Sequence, residues 1–160
     1  MGNRYFSELD SPIGKLCLVG EDALLTGLYM VDHRHRPPLP EGCEQSDRPF
    51  RSVRDQLRAY FAGKLREFEI ELGGEGSAFQ KKVWRALLKI PYGATESYGG
   101  LARRIGNDKA SRAVGLANGR NPISIIVPCH RVIGANGSLT GYGGGVERKK
   151  WLLEHEQRFS

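Results

Sequence analysis

The sequence predicts an α+β fold. A small N-terminal sheet-plus-helix domain is followed by a mostly helical C-terminal domain with a winged-helix-like helix-turn-helix. Three observations carry this. Short stretches rich in β-branched and aromatic residues, separated by turn residues, lie before residue 31. Past the glycine-rich break GGEGS (73–77) the apolar residues follow a helical period instead. The charge changes at the same place: residues 1–76 carry 10 Lys/Arg against 13 Asp/Glu, and residues 77–160 carry 14 against 5. The predicted domains are therefore 1–73 and 77–160.

In the first domain, RYFSEL (4–9), GKLCLVG (14–20) and LLTGLYM (24–30) are strand-like, and SPIG (11–14) is a turn marked by Pro12 and Gly14. Cys17 falls in an apolar strand and belongs to the core. HRHRPPLPEG (33–42) is an exposed loop, with His33 and His35 solvated rather than metal-bound. SVRDQLRAYFAG (52–63) is an amphipathic helix with Val53, Leu57, Tyr60 and Phe61 on one face and Gly63 near its end. FEIEL (68–72) is one more strand. Nothing in this domain looks catalytic.

The second domain opens with SAFQKKVWRALLKI (77–90), capped by Ser77, with Phe79, Val83, Trp84, Leu87 and Leu88 as its apolar stripe. Pro91 and Gly93 end that helix. Thr95 or Ser97 caps ESYGGLARRIG (96–106), Gly106 and Asn107 break the chain, and KASRAVGLANG (109–119) is a second short helix. Two short helices around a glycine-containing turn, in a basic region, suggest a helix-turn-helix. Its second helix is small-faced: Ala110, Ser111, Ala113, Gly115 and Ala117 offer no long polar side chains for reading base edges. Such a helix either approaches a backbone or narrow groove closely, or packs tightly on a neighbour. Arg112 is the long side chain in its middle. VERKKWLLEHEQ (146–157) is the last helix.

Bulk properties exclude several classes. With 39% hydrophobic residues the chain can build a core and is not a disordered tail. No apolar run approaches the ~18 residues of a membrane span, and MGNRYFSELD has no apolar signal region, so a cytoplasmic protein is expected. MGNRYF half-matches a myristoylation pattern but has Phe6 where Ser or Thr is wanted. Three cysteines, none at C-x-x-C spacing, argue against a disulfide framework or structural zinc and for free thiols in a reducing compartment. The net charge of +6, concentrated in the second domain, suggests a polyanionic partner, nucleic acid before others.

The chemistry lies in IIVPCHRVIG (125–134). A β-branched run ends in Pro128 and is followed by Cys129, His130 and Arg131. A thiol, reference pKa ~8.5, becomes a nucleophile near neutrality when a base takes its proton. Sequence neighbours on an extended strand point to opposite faces, so Cys129 and His130 need a turn or a water between them, and Pro128 favours a turn. Glu154 and Glu156 are candidate carboxylates to orient the imidazole. A Cys-His pair alone is more often structural; Asn121-Pro122, the glycine-rich GYGGG (141–145) and the basic helices add only modestly to it.

PCHRV (128–132) resembles the active-site signature of the O6-alkylguanine-DNA alkyltransferases. The resemblance covers most of the chain: SPIG and AYFAG, then FQKKVWRALLKIPYG, SYGGLARRIG, SRAVG, NPISIIVPCHRVIG, LTGYGGG and KKWLLEHE. It implies direct-reversal DNA repair, in which an alkyl group moves irreversibly from O6-alkylguanine, and also O4-alkylthymine, to Cys129 after nucleotide flipping. It implies that His130 acts on the thiol through a water and is oriented by Glu156. Asn121 links the DNA-binding helices to the active-site turn. Arg112 replaces the extruded nucleotide, and Tyr98 turns its phosphate and helps protonate the leaving base. Val127 and Cys129 offer backbone carbonyls to the guanine edge, Tyr142, Gly143 and Gly144 line the pocket, and Lys149 aids protonation.

The resemblance also implies no cofactor and no metal, since four zinc ligands cannot be placed. The implied partner is double-stranded DNA, bound through the minor groove mainly by phosphate contacts, by a monomer or cooperatively, in the nucleoid. Two departures stand out. Tyr98 is followed by Gly-Gly, and Gly100 should loosen its helix by roughly 1 kcal/mol relative to Ala. Ser124 replaces a Pro found in some relatives on the pocket wall, which bears on bulky adducts. The alternative is a non-catalytic lesion sensor; such proteins commonly carry Trp at the position of Cys129. A cysteine hydrolase would explain Cys129 and His130 but not Arg112 or the basic helices.

Overall fold

The computed structural model describes residues 2–30, 37–139 and 141–160. The predicted strands form: β1 (Arg4–Leu9), β2 (Leu16–Glu21) and β3 (Leu24–Met30) make an antiparallel meander, and the two-residue β4 (Glu44–Gln45) adds parallel to β1, giving the order β3-β2-β1-β4. The SPIG turn closes with the Gly14 amide donating to the Ser11 carbonyl at 3.0 Å. Cys17 is buried with Val19 and Tyr29 in a small satellite cluster. His33 and His35 lie outside the described residues.

FEIEL is not a strand. Leu72 makes a single bridge to Leu25, through Leu25 N–H to the Glu71 carbonyl (3.0 Å) and Gly73 N–H to the Leu25 carbonyl (2.8 Å). Upstream of that bridge the Glu69 backbone is held by the Gln56 side chain, in both directions, rather than by a ladder. The same edge of β3 receives a second single bridge, Leu28 with Ile123. Thus β3 is an edge strand covered by two extended segments, one of which leads into PCHRV.

Helix α1 (Arg51–Phe61) buries Val53, Leu57 and Tyr60, as its period predicts. It ends in a Schellman motif: Lys64 N–H donates to Ala59 O (2.9 Å) and Gly63 N–H to Tyr60 O (3.0 Å), with Gly63 at φ 77 where a side chain would be strained. Helix α2 (Ala78–Leu87) starts at Ser77 with a full capping box to Gln80. Ser97 rather than Thr95 caps α3 (Tyr98–Arg104), its hydroxyl accepting from Gly100 N–H at 2.9 Å. A Cβ at Gly100 would lie 3.1 Å from that hydroxyl, so this glycine leaves room for the cap. Helix α4 (Ser111–Gly119) follows, and α5 (Val146–Phe159) closes the chain. Between them a two-stranded parallel sheet pairs β5 (Glu96–Ser97) with β6 (Val132–Ile133).

One hydrophobic core runs from Leu9 and Leu28 through Leu57 and Val83 to Val114, Val127 and Leu152, so the sheet, the helix-turn-helix and the PCHRV turn share it. Among the described residues no helix is long and apolar enough to cross a membrane.

Candidate active site

Residues 121–131 are built by turns. Ile126 N–H donates to the Ser124 carbonyl (2.8 Å) around Ile125, whose φ is 72: a γ-turn centred on a β-branched residue. Such a conformation costs on the order of 1–3 kcal/mol and persists only where the surroundings enforce it. Here Ile125 is buried and the adjoining Pro122–Ser124 backbone is bonded to Leu28. A second, inverse γ-turn follows at Pro128 (φ −80, ψ 64), with Cys129 N–H donating to Val127 O at 2.8 Å. Residues 129–131 then form one 3-10 turn. The run of β-branched residues is therefore no strand, and Cys129 and His130 are not forced to opposite faces.

Asn121 braces this segment from within. Its amide donates to Val127 O (2.8 Å) and Ile123 O (3.3 Å), its carbonyl oxygen accepts from Ile123 N–H (3.0 Å), and it also stabilises the thiolate of Cys129. Buried Asn118, on α4, donates to Cys129 O at 3.3 Å. These two asparagines tie the end of the helix-turn-helix to the active-site turn. The carbonyls of Val127 and Cys129 both already accept internal bonds, Val127 from Asn121 and Cys129 N–H, Cys129 from Asn118 and Val132 N–H.

Cys129 is 3% exposed. Burial pushes its thiol up, against Asn121, the Lys149 charge and Ser124, which favour the thiolate. The resting group is a neutral thiol. His130 is wholly buried, and its Nε2 lies 2.6 Å from Glu156 Oε2. Burial pulls the imidazole below its usual ~6.5, although the Glu156 hydrogen bond and charge work the other way. Glu156 also takes Arg131 Nε on Oε1 (2.8 Å), Arg131 Nη2 on Oε2 (3.1 Å), the Tyr60 hydroxyl on Oε2 (2.7 Å) and Gly93 N–H on Oε1 (3.3 Å). Burial alone would raise its carboxyl, but the bonds and charges of His130 and Arg131 win and hold it well below the usual carboxylate range. An ionised Glu156 requires the proton on Nε2, which leaves Nδ1 a lone pair; Nδ1 is buried and has no hydrogen-bond partner among the described residues.

Lys149 is fully buried on α5, donates to Val132 O, and lies 5.9 Å from the centre of the Tyr98 ring. Burial lowers its ammonium to about 8, with Cys129 opposing. Tyr98 packs its ring where a Cβ on Gly115 of α4 would sit 3.7 Å away. The Ser124 hydroxyl faces both the thiol and the buried Tyr142 phenol closely enough to favour ionisation of either, yet neither hydroxyl completes a well-formed hydrogen bond. Burial drives the Tyr142 phenol well above 10. Gly143 is half-buried and Gly144 buried, where a Cβ on Gly144 would meet Met30 Sδ at 2.8 Å. Arg112 stands apart, exposed in the first turn of α4 with Ala113 beside it.

Of the two carboxylates considered from sequence, Glu156 reaches His130 and Glu154 is exposed. Sequence reasoning missed Tyr60, Asn118 and the role of Arg131. Arg131 was visible inside PCHRV as a cation beside a buried run. Tyr60 was visible only as one more apolar position of α1.

The arrangement sets a buried cysteine, with an oriented histidine on the same turn, beneath a helix-turn-helix. The family model described as 6-O-methylguanine DNA methyltransferase, DNA binding domain, matches residues 78–158, and its ribonuclease-like domain matches residues 4–73. A methylated-DNA–protein-cysteine methyltransferase of Mycolicibacterium paratuberculosis is 57% identical over 155 residues, covering 97% of this chain and 93% of the relative. One from Methanosarcina acetivorans is 51% identical, covering 95% and 97%. The crystal structure of Mycobacterium tuberculosis OGT in complex with DNA superposes with a TM-score of 0.91 at 53% identity, over 98% of this chain and 94% of that one. The chain belongs to the 6-O-methylguanine DNA methyltransferase family.

Proposed function

We propose that this chain repairs alkylated DNA by taking the alkyl group onto Cys129. The observation that carries the reading is the buried Cys129 thiol on the same turn as a His130 whose imidazole is fixed by ionised Glu156 and keeps Nδ1 free to accept a proton. The thiol gives its proton to Nδ1, through a water. The sulfur attacks the alkyl carbon of O6-alkylguanine, or of O4-alkylthymine. The C–O bond breaks with its electron pair going to the base, which gains a proton at the ring nitrogen from Tyr98 or Lys149. The product is a thioether, and guanine is restored. No cofactor enters this balance.

An alkyl group on guanine O6 lies inside duplex DNA, so the nucleotide must be flipped out. The solvent side of α4, with Ala113 exposed and Ser111 and Gly115 half-buried, suits the minor groove, with Arg112 filling the gap left in the stack. Lys and Arg side chains on phosphates supply the affinity of a monomer that binds in any sequence, alone or cooperatively. Tyr98 turns the flipped nucleotide's phosphate. Ser124, Tyr142, Gly143, Gly144 and the backbone of Val127 and Cys129 form the pocket. Because Cys129 is 3% exposed, the pocket must open for a base to enter. In this reading 1–73 is the α+β domain and 77–160 the DNA-binding and acceptor domain. A lesion sensor without chemistry has no use for a nucleophile at position 129.

The test is peptide mapping after incubation with duplex DNA containing O6-methylguanine. The methyl mass is expected on the peptide carrying Cys129, and Cys129→Ser gains none. Methylation on Cys17 or Cys43, or of Cys129→Ser, overturns the reading.

A further inference from the structure

We infer that Tyr60, 96 residues before Glu156, is a positioning residue for thiol activation: its buried hydroxyl holds the Glu156 carboxylate against His130. The inference rests on the role proposed for His130. It makes the first domain part of the chemistry rather than a support.

Tyr60 is bolted to two consecutive residues of α5. Its hydroxyl donates to Glu156 Oε2 at 2.7 Å, and its backbone carbonyl lies 2.7 Å from His155 Nε2. A packed aromatic shell holds the ring, with Phe61, Phe68, Tyr92 and His155 centred 5.2–6.1 Å away. The Schellman turn at Gly63 uses the same carbonyl, so the end of α1 and the face of α5 are fixed together. A tyrosine whose only task was to fill the core would not need its hydroxyl on a catalytic carboxylate; phenylalanine fills the same space.

The titratable and charged groups that face Glu156 are Tyr60 from α1, Tyr92 from the turn before β5, His130 and Arg131 from the active-site turn, and Tyr142 from the segment before α5; Lys149 acts on His130, His155 packs on the Tyr60 ring, and Arg66 stands 5.8 Å over the Tyr92 ring. Oε2 is shared by Tyr60, His130 and Arg131. Each added donor spreads the carboxylate's charge and weakens its pull on an imidazolium. Tyr60 therefore aims Glu156 and helps to keep His130 neutral, the form that accepts the thiol proton. Without the Tyr60 hydroxyl, Glu156 turns its charge more fully on His130 and stabilises the imidazolium. The sign follows: the imidazole is protonated at higher pH, and activity is lost sooner as pH falls.

The experiment follows single-turnover alkylation of Cys129 by a free O6-substituted guanine across pH, which removes DNA binding from the measurement. Tyr60→Phe should move the acid limb of the rate profile up by ~0.5–1 pH unit, the order expected when one of several charge-assisted hydrogen bonds is lost. 3-Fluorotyrosine at position 60 keeps the shape and strengthens the donor, and should move the limb down. Phe68→Leu loosens the same aromatic shell without touching Glu156; it should lower the melting temperature and leave the limb in place. If His130→Gln removes the limb but neither Tyr60 variant moves it, the positioning role is overturned. If His130→Gln leaves the limb unchanged, the role of His130 itself fails. A limb that moves equally in Phe68→Leu reduces Tyr60 to packing and overturns the inference.

Discussion

His130 can take a proton from Cys129 only while it is neutral, and Lys149 can give one to a leaving base only while it is charged. Burial lowers both groups, His130 below ~6.5 and Lys149 to about 8. The alkylation rate should therefore rise as pH climbs through the His130 value, below 6.5, and fall again near 8 as the ammonium is lost. Lys149→Met should remove the alkaline limb and keep the acid one, as measured with a free O6-substituted guanine. An unchanged alkaline limb would assign the proton to Tyr98 instead. At this scale the sequence disclosed the local pieces. Cys129, His130 and Arg131 are adjacent, and the resemblance singled out Glu156 from two candidates two residues apart. What it could not disclose is who else holds Glu156. Tyr60 lies 96 residues away and Gly93 lies 63 away, and a buried hydroxyl in an apolar stripe looks the same in sequence as one more core ring.

Among the elements, the helices were the most legible, because period and caps coincide: Ser77 with Gln80, Ser97 before α3, Gly63 after α1. FEIEL was misleading because β-branched and aromatic residues also serve where a segment merely covers a sheet edge. The positive-φ backbone of Ile125 is a tertiary effect, imposed by the neighbouring backbone on β3, that no propensity scale anticipates. Helix α4 presents Arg112 to solvent and joins Asn118 to the carbonyl of Cys129, so the same helix offers one face to solvent and another to the active-site turn. If Arg112 serves flipping, Arg112→Ala should slow methyl removal from duplex DNA by at least tenfold, the loss of one well-placed contact, and leave the reaction with the free base near its normal rate. Equal losses on both substrates would place Arg112 in the chemical step or in folding.

Across the whole molecule, one core links the sheet, the helix-turn-helix and the PCHRV turn. An alkyl group added to Cys129 enters close-packed surroundings, and overpacking typically costs ~1–3 kcal/mol. The alkylated protein should melt about 2–8 °C lower than the free protein, more for benzyl than for methyl, and should bind duplex DNA more weakly through Asn118 and Asn121. Thermal melts of the free, methylated and benzylated forms check this; alkylated forms that melt at or above the free protein refute the strain. An alkyl group taken onto Cys129 consumes the protein in its own reaction, because water does not readily cleave a thioether. Intact-mass measurement with limiting protein and excess O6-methylguanine duplex tests it directly. A gain of one methyl per chain is expected, with demethylation of DNA ceasing at one equivalent of protein. Continued demethylation beyond that equivalent, or repaired DNA without a gain in protein mass, would contradict it.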